Sequence, residues 1–529
     1  MLCFLQITEQ MTLLNETLIW LMKRRLPRIQ SFMERPMDAQ EQMFWSLIDD
    51  AKYTLWGKQY DYQSILSIKQ FQERVPISSY EDLYPYIERM MKGEENVLWH
   101  SEIQWFSKSS GTTNARSKYI PVSKESLEDC HFMGGKDMMT LLANNKPNTQ
   151  VFEGKGLSIG GSLSSNALNA KSFAGDVSAV VMKNLPIWAQ LIRTPSLDVA
   201  LMDVWEEKIQ KMAEVTAQEN VTSILGVPTW TLVLIEKVLE ITGKSNILEV
   251  WENFEFFIHG AVAFQPYREL FTNKIFPSDA VSYLEIYNAS EGFFGIQDDL
   301  TKQDELLLML DYGIFYEFIP MEEIESENPK ALTLDEVELG KNYAVVISTN
   351  AGLWRYKIGD TVRFTSKYPH RIKISGRTKH FINAFGEEVI IENAEQAITK
   401  ACEMTGAKIT DYTAAPEYMK GGKSGCHEWI IEFSQLPDDE EVFKRVLDET
   451  IRENNSDYDA KRYNDMVLRM PKIHAVEQGT FYEWMRIRGK LGGQHKVPRL
   501  SNTREYIEEI LSVVSGQKFI SNSGKNVHV

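Results

Sequence analysis

Cysteine is scarce. The four in 529 residues, Cys3, Cys130, Cys402 and Cys426, show no CxxC spacing. That excludes a secreted disulfide scaffold and points to reduced thiols in a cytoplasmic protein. Cys426 and His427 are neighbours, but adjacent positions alternate faces in a strand, so they make a poor metal site. Positive charge is in deficit too. Lys and Arg number 57 against 74 Asp and Glu, a net charge of −17, which removes the basic footprint expected of a nucleic-acid binder without excluding a small anion. A long apolar run is also missing. Glu9, Asn15 and Glu16 interrupt the stretch from Met1 to Trp20, and the basic Lys23-Arg24-Arg25 follows it instead of preceding it. Neither a signal peptide nor membrane insertion is expected. Leu14, Leu18, Leu21 and Met22 stand at helical spacing up to Pro27 and predict an amphipathic helix packed on the body. Internal repeats and low-complexity segments are lacking.

What remains is an ordinary globular composition, 43% hydrophobic and 25% charged, in a chain long enough for a large unit and a smaller one. Residues 1 to 100 read as helices, with Pro76 and Pro85 marking turns. Short strands then alternate with helices. Strands are expected at Ile103–Ser107, Tyr119–Val122, Gly156–Ile159, Val221–Leu225 and Phe254–Ile258, with Ser123 capping a helix. This predicts a largely parallel sheet covered by helices, whose ligands gather at the carboxyl ends of the strands. From 306 to 365 the chain reads as strand-rich. From about 377 a smaller α+β unit is expected, with a helix at Glu392–Glu403, a strand at Glu428–Phe433 and a helix at Val442–Glu453.

Five segments could carry chemistry. The first is Ser107-Lys108-Ser109-Ser110-Gly111-Thr112-Thr113, followed by Arg116 and Lys118. Small residues in a tight turn let successive backbone N–H groups form an anion nest, and a lysine adds a point charge for a polyphosphate. A polar Ser/Thr/Gly loop with no ligand has the same composition. It is not a Walker loop. Gly422-Lys423-Ser424 imitates the ending of one, but Glu417 stands where the first glycine belongs. The second segment, Tyr287-Asn288-Ala289-Ser290-Glu291-Gly292, follows the strand Val281–Ile286. Its carboxylate could ligate Mg²⁺ or simply cap a turn. The third, Gly352 to Asp360, ends in a Gly-Asp pair read as a turn, whose carboxylate could accept ribose hydroxyls. The fourth, Ser375 to Asn383, lies at the boundary of the smaller unit. The fifth is Gly493-Gln494-His495-Lys496-Val497-Pro498-Arg499.

Taken in order, Ser-Ser-Gly-Thr-Thr with its following lysine, Tyr-x-x-Ser-Glu-Gly, Tyr-x-x-Gly-Asp and Ser-Gly-Arg-Thr-Lys-His-Phe-Ile-Asn-Ala-Phe-Gly-Glu-Glu resemble the auxin-responsive Gretchen Hagen acyl acid amido synthetases. That family belongs to the acyl-adenylate-forming superfamily, with firefly luciferase and the acyl-CoA synthetases. The resemblance runs from about residue 30 to 510. The most family-specific stretch is Ser375 to Glu388, and Gln494-x-Lys496-x-Pro498-Arg499 closes it.

The resemblance implies an α/β fold with mixed and parallel sheets in a large N-terminal domain, residues 1–376, and a mobile α+β lid, residues 377–529. By the same resemblance, Ser109, Ser110, Gly111, Thr112, Thr113 and Lys118 hold the ATP phosphates. Gly260 and Ala261 line the adenine pocket, and Tyr287 lies on the base. Glu291 holds Mg²⁺, Asp360 takes the ribose hydroxyls with help from Arg377, Lys379 is the pivot, and Lys496 is the catalytic lid lysine beside Lys118. One departure is Thr113-Asn114-Ala115, where family loops often carry a second Ser or Gly.

The implied reaction joins a small carboxylic acid to AMP with loss of pyrophosphate, then passes the acyl group to an amine, an amino acid in the family pattern. An acyl-CoA ligase and an inactive nucleotide-binding homologue are the alternatives. His131, His380 and His495 are candidate bases for the amine step. Trp188, Trp205, Trp230 and Phe264 are candidate walls of the acyl pocket or ordinary core aromatics.

Overall fold

The computed structural model describes residues 2–109, 118–161, 163–166, 168–202, 204–262, 264–324, 326–377, 381–419, 424–488 and 497–515; the side chains of 2–11, Ser109, Trp205, Pro266 and Arg377 are outside the description. The described chain forms two compact units, one ending at 377 and one beginning at 381.

The first unit opens with helices. The Leu2–Lys23 helix buries Asn15, Ile19 and Met22, whereas Leu14 is 47% and Leu21 39% exposed. The expected apolar face is packed in part: Met22 is buried and Leu18 packs on the core, while Leu14 and Leu21 stay outside. A polar anchor decides the rotation: Phe152 N donates to Asn15 Oδ1 at 3.1 Å, and Asn15 Nδ2 donates to Thr149 O at 3.0 Å. Arg25 turns inward as well and bridges Asp137 and Asp311 at 2.8 and 2.9 Å. The first helix ends at Lys23, before Pro27, which stands in the first turn of a second helix, Leu26–Glu34, where its missing N–H has no partner to lose. Pro85, by contrast, is not at a turn. It lies inside Tyr80–Met91, a helix started by a Ser79/Asp82 capping box and pinned by buried Leu83, Ile87, Met90 and Met91.

The strands of this unit are, in order, β1 Trp105–Ser109, β2 Lys118–Val122, β3 Lys155–Ser158, β4 Leu163–Ser165, β5 Phe173–Gly175, β6 Arg193–Thr194, β7 Val221–Leu225 and β8 Phe256–His259. They continue with β9 Ser282–Ala289, β10 Gly292–Ile296, β11 Leu306–Leu308, β12 Ile314–Pro320, β13 Asn342–Thr349, β14 Tyr356–Lys367 and β15 His370–Arg377. A small sheet has the order β2-β1-β5-β4, and a large one β12-β13-β14-β15-β11-β10-β9-β8-β7-β3-β6. In the large sheet β6, β3, β7, β8 and β9 pair in parallel, and every pair from β9 to β12 is antiparallel. The sheet is mixed, not largely parallel throughout, because hairpins replace helical crossovers after β9.

Across the parallel half, the strand ends Ser158, Leu225, His259 and Ala289 fall on one edge, and three of them run into glycine: Gly160-Gly161, Gly226 and Gly260. The other half is filled by aromatics such as Tyr312, Phe315, Tyr316, Phe318, Tyr343 and Trp354.

The second unit pairs the strands Lys408–Glu417 and Cys426–Gln435 antiparallel and adds Lys472–Val476 in parallel. The helices Ile391–Thr405 and Glu440–Asn454 belong to it. Its Phe381–Glu388 stretch is organised by a fully buried carboxylate. Glu387 accepts from Ala384 N and Phe385 N at 3.2 and 2.7 Å and pairs with His427 Nε2 at 2.8 Å. Gly386, at φ +90°, makes the turn that lets the carboxylate reach back.

Candidate functional site

Three of the five segments are tied together pairwise. Ser107, on β1, donates to Ser290 Oγ at 2.9 Å, which joins the first segment to the two-residue Ser290-Glu291 turn between β9 and β10. Lys118, opposite Ser109 in the β1–β2 register, bonds Tyr356 Oη at 3.3 Å and lies between the rings of Tyr80 and Tyr356, 5.6 and 5.9 Å from their centroids. That joins the first segment to the third. Tyr287 Oη donates to Asp360 Oδ2, joining the second to the third. The three links close a triangle across chain separations of 183, 238 and 73 residues.

Local chain chemistry sets each corner. Asp360 is not at a turn, as the Gly-Asp pair suggests, but inside β14. Between the pairs Ala344↔Thr361 and Val346↔Lys357 the β14 side carries extra residues, so Ile358-Gly359-Asp360 bulges, with Gly359 at φ +94°. Bulges re-aim side chains at such places. Arg377 stands opposite Asp360 in the β14–β15 register. Tyr287 lies within β9, not beyond the strand; it is 7% exposed and its ring packs on Phe294 at 4.8 Å. Glu291 is half-buried in the turn. Gly260 must be glycine, because a Cβ there would come within 2.5 Å of Ile286 O on β9. Ala261 holds φ +68°, a left-handed conformation that costs a non-glycine residue energy and recurs at ligand-binding loops.

Ser109 is described in its backbone only, and Ser110, Gly111, Thr112, Thr113, Lys379, His380, His495 and Lys496 lie outside the described residues. Of the candidate bases, His131 is buried on a π-helical turn, Leu127–Phe132, and burial pushes its pKa down to about 4, so it is neutral at neutral pH. Burial likewise lowers His259 to about 3. Glu285, two residues before Tyr287, is pushed up to about 7, first by burial and then by Asp304.

Phe264 is a core aromatic, stacked on His259 and Tyr283. Trp188 is 49% exposed and Trp230 half-buried. Among the described residues no three His, Cys, Asp or Glu side chains cluster to hold a metal. Glu291 as a single carboxylate fits Mg²⁺ bound chiefly through substrate phosphates. No described helix is long and apolar enough to cross a membrane.

Tyr356, Tyr80 and Ser290 are partners that composition and spacing did not single out. Tyr356 and Ser290 sit in quoted segments, but nothing local links them to Lys118 or Ser107.

The fold is shared with solved structures of an acyl acid amido synthetase and of a CoA ligase. The chain aligns with a solved structure of the GH3.15 acyl acid amido synthetase over 95% of its own length and 98% of that chain, at TM-score 0.59 and 17% identity. It aligns with a 2-hydroxyisobutyryl-CoA ligase in complex with 2-HIB-AMP and CoA over 90% and 92%, at TM-score 0.52 and 10% identity. Family models match residues 25–281 (GH3 family N-terminal domain), 307–377 (GH3 family central domain) and 392–505 (GH3 family C-terminal domain). The chain belongs to the GH3 family. Relatives from Arabidopsis thaliana include the indole-3-acetic acid-amido synthetase GH3.4, 24% identical over 90% of this chain and 91% of its own. Another is the 4-substituted benzoates-glutamate ligase GH3.12, 24% identical over 85% and 90%.

Proposed function

We propose that this chain is an ATP-dependent acyl acid amido synthetase. The observation that carries the reading is the closed triangle Ser107–Ser290, Lys118–Tyr356 and Tyr287–Asp360, which gathers three motif segments at one place. Membership of a family whose relatives are amido synthetases supports it.

A free carboxylate resists amine attack because oxide would have to leave. In the first step a carboxylate oxygen attacks the α-phosphorus of ATP, an acyl–O–P bond forms and pyrophosphate departs. In the second the amine nitrogen attacks the acyl carbon, AMP departs and the amine loses its proton. Two anions meet in the first step, so cations must be fixed in advance.

Lys118 is one such cation, its ammonium held between two tyrosine rings. Lys496, in the proposed lid of residues 377–529, is the second; it serves the first step and is then withdrawn. The backbone of 109–113 cradles the phosphates. Gly260 and Ala261 face the base with Tyr287, and Asp360 accepts the ribose hydroxyls with Arg377 beside it. Mg²⁺, held by Glu291, supplies further neutralisation of the phosphate charge. Tyr287 fixes the Asp360 carboxylate, which has lone pairs on both oxygens for several donors.

The test is carboxylate-dependent ATP–pyrophosphate exchange over a panel of acids, followed by addition of amino acids, and of CoA separately, to the best acid. The expected product is an amide. Exchange with no acid, or a thioester alone, overturns the reading.

A further inference from the structure

Among the described residues, Arg193 is a buried cation with no carboxylate partner. It sits on β6, the outermost strand of the parallel half, and is 9% exposed. Its one polar contact among the described residues is Nη2 to Met182 Sδ at 3.5 Å, and its Nε is buried with no partner. Nη1 is neither bonded nor sealed, so one edge of the guanidinium keeps access to solvent. Burial lowers its pKa, and no described carboxylate opposes that shift.

Met182 locates the group. A Cβ on Gly160 would lie 2.8 Å from the same Sδ, so the guanidinium stands beside the Gly160-Gly161 break at the carboxyl end of β3. Lys208, also buried, donates from Nζ to the carbonyls of Gly160 and Gly161 and adds positive charge there. Asp176 packs against Gly161 yet makes no ion pair with Arg193. A buried charge is ordinarily paired, and an unpaired one is costly. An unsatisfied group held at a ligand edge, open on one side, is explained when the missing partner arrives with the ligand.

We propose that Arg193 receives a second carboxylate, carried at the end of the acid substrate remote from the carboxylate that is activated. The chain's acids are then dicarboxylic, with an apolar middle. The inference rests on the amido synthetase reading and names its substrate class.

Strand spacing selects the ligand. β6 lies three steps from β8 and four from β9, the strands of Gly260 and Tyr287, which is roughly 14–19 Å at ~4.8 Å per step. In an acceptor amino acid the amine and α-carboxylate are only about 3 Å apart, so an acceptor bound for attack at the nucleotide end does not reach Arg193. An acid with a backbone of several carbons does. Leu225, exposed at the carboxyl end of β7, and Trp230 in the helix that follows give the intervening edge its apolar surface.

The experiment compares chain-matched pairs of eight- to twelve-carbon monoacids and α,ω-diacids in pyrophosphate exchange, with wild type, Arg193→Met and Arg193→Lys. Wild type should prefer the diacid. Arg193→Met should lower kcat/KM for the diacid ~10–100-fold and spare the monoacid, with partial rescue by Arg193→Lys. A wild-type preference for the monoacid, or an equal loss on both acids, overturns the proposal. Thermal unfolding of wild type with each diacid in the absence of ATP separates this proposal from the enzymatic reading. If no acid supports exchange but a diacid raises Tm in wild type and not in Arg193→Met, the reaction is wrong and the carboxylate site stands. No shift in wild type ends the site.

Discussion

Among the described residues of the first unit two arginines are buried, Arg355 and Arg193, and their surroundings are opposites. Arg355 sits at the antiparallel end of the large sheet. Its Nε and Nη2 bond both oxygens of buried Glu317 at 2.9 Å, and its Nη1 donates to Gln72 O and Val75 O. All three nitrogens of its guanidinium are bonded to protein. Arg193 sits at the parallel end with a thioether for company. The contrast follows from topology. Antiparallel strands joined by hairpins let the chain close over a charge. Parallel strands all end on one edge, where glycines leave the backbone open and a ligand can complete what the protein leaves out.

The largest effect should come from breaking the closed end. Glu317→Ala leaves Arg355 buried and unpaired, and should cost ~3–5 kcal/mol in denaturant unfolding. Arg193→Met removes a charge that has no carboxylate partner among the described residues and should stay within about 1 kcal/mol of wild type. Equal losses would erase the contrast.

At the site itself, Lys118→Ala should lower exchange ~10²–10³-fold with the fold intact, and so should Lys496→Ala. Wild-type exchange in either variant removes that lysine from the machinery. Tyr287→Phe deletes one link of the triangle and should raise the KM for ATP by up to about tenfold, with a smaller change in kcat.

The smallest effect tests whether a paired charge in the second unit behaves like Arg355. Burial works to raise the Glu428 pKa, but His474, Arg504 and Lys472 outweigh it and hold it down at about 2. A depressed carboxylate stabilises the fold fully above its ordinary value and loses that contribution as pH falls through about 4.5 towards 2. Glu428→Gln should therefore lower Tm by about 2–4 °C near pH 6, and the difference should shrink towards pH 2.5. A constant offset across that range would sink the assignment.

Much of the local structure was legible. The strand Val221–Leu225 has the limits its β-branched run suggests, and Ser123 caps a helix, accepting from Ser126 N. The smaller unit's helices and its central strand lie where expected, within a few residues. The misreadings share a cause. Of the apolar face Leu14, Leu18, Leu21 and Met22, only Leu18 and Met22 pack, because Asn15 finds two backbone partners and turns the helix. Pro85 reads as a breaker, yet a capping box and four buried side chains outweigh one missing bond. Asp360 reads as a turn residue because Gly359 precedes it, while two flanking strands absorb the pair as a bulge. The parallel reading of the sheet failed after β9, where strand content looks the same for either direction of pairing.

Periodicity, caps and glycine positions act over a few residues, so chain chemistry alone dictated the elements, the motif segments and the family resemblance. Which polar groups meet was settled by folding. Ser107 reaches Ser290, Lys118 reaches Tyr356, and Arg193 meets only the Met182 thioether among the described residues, because the order of strands far apart in the chain decides which side chains share an edge.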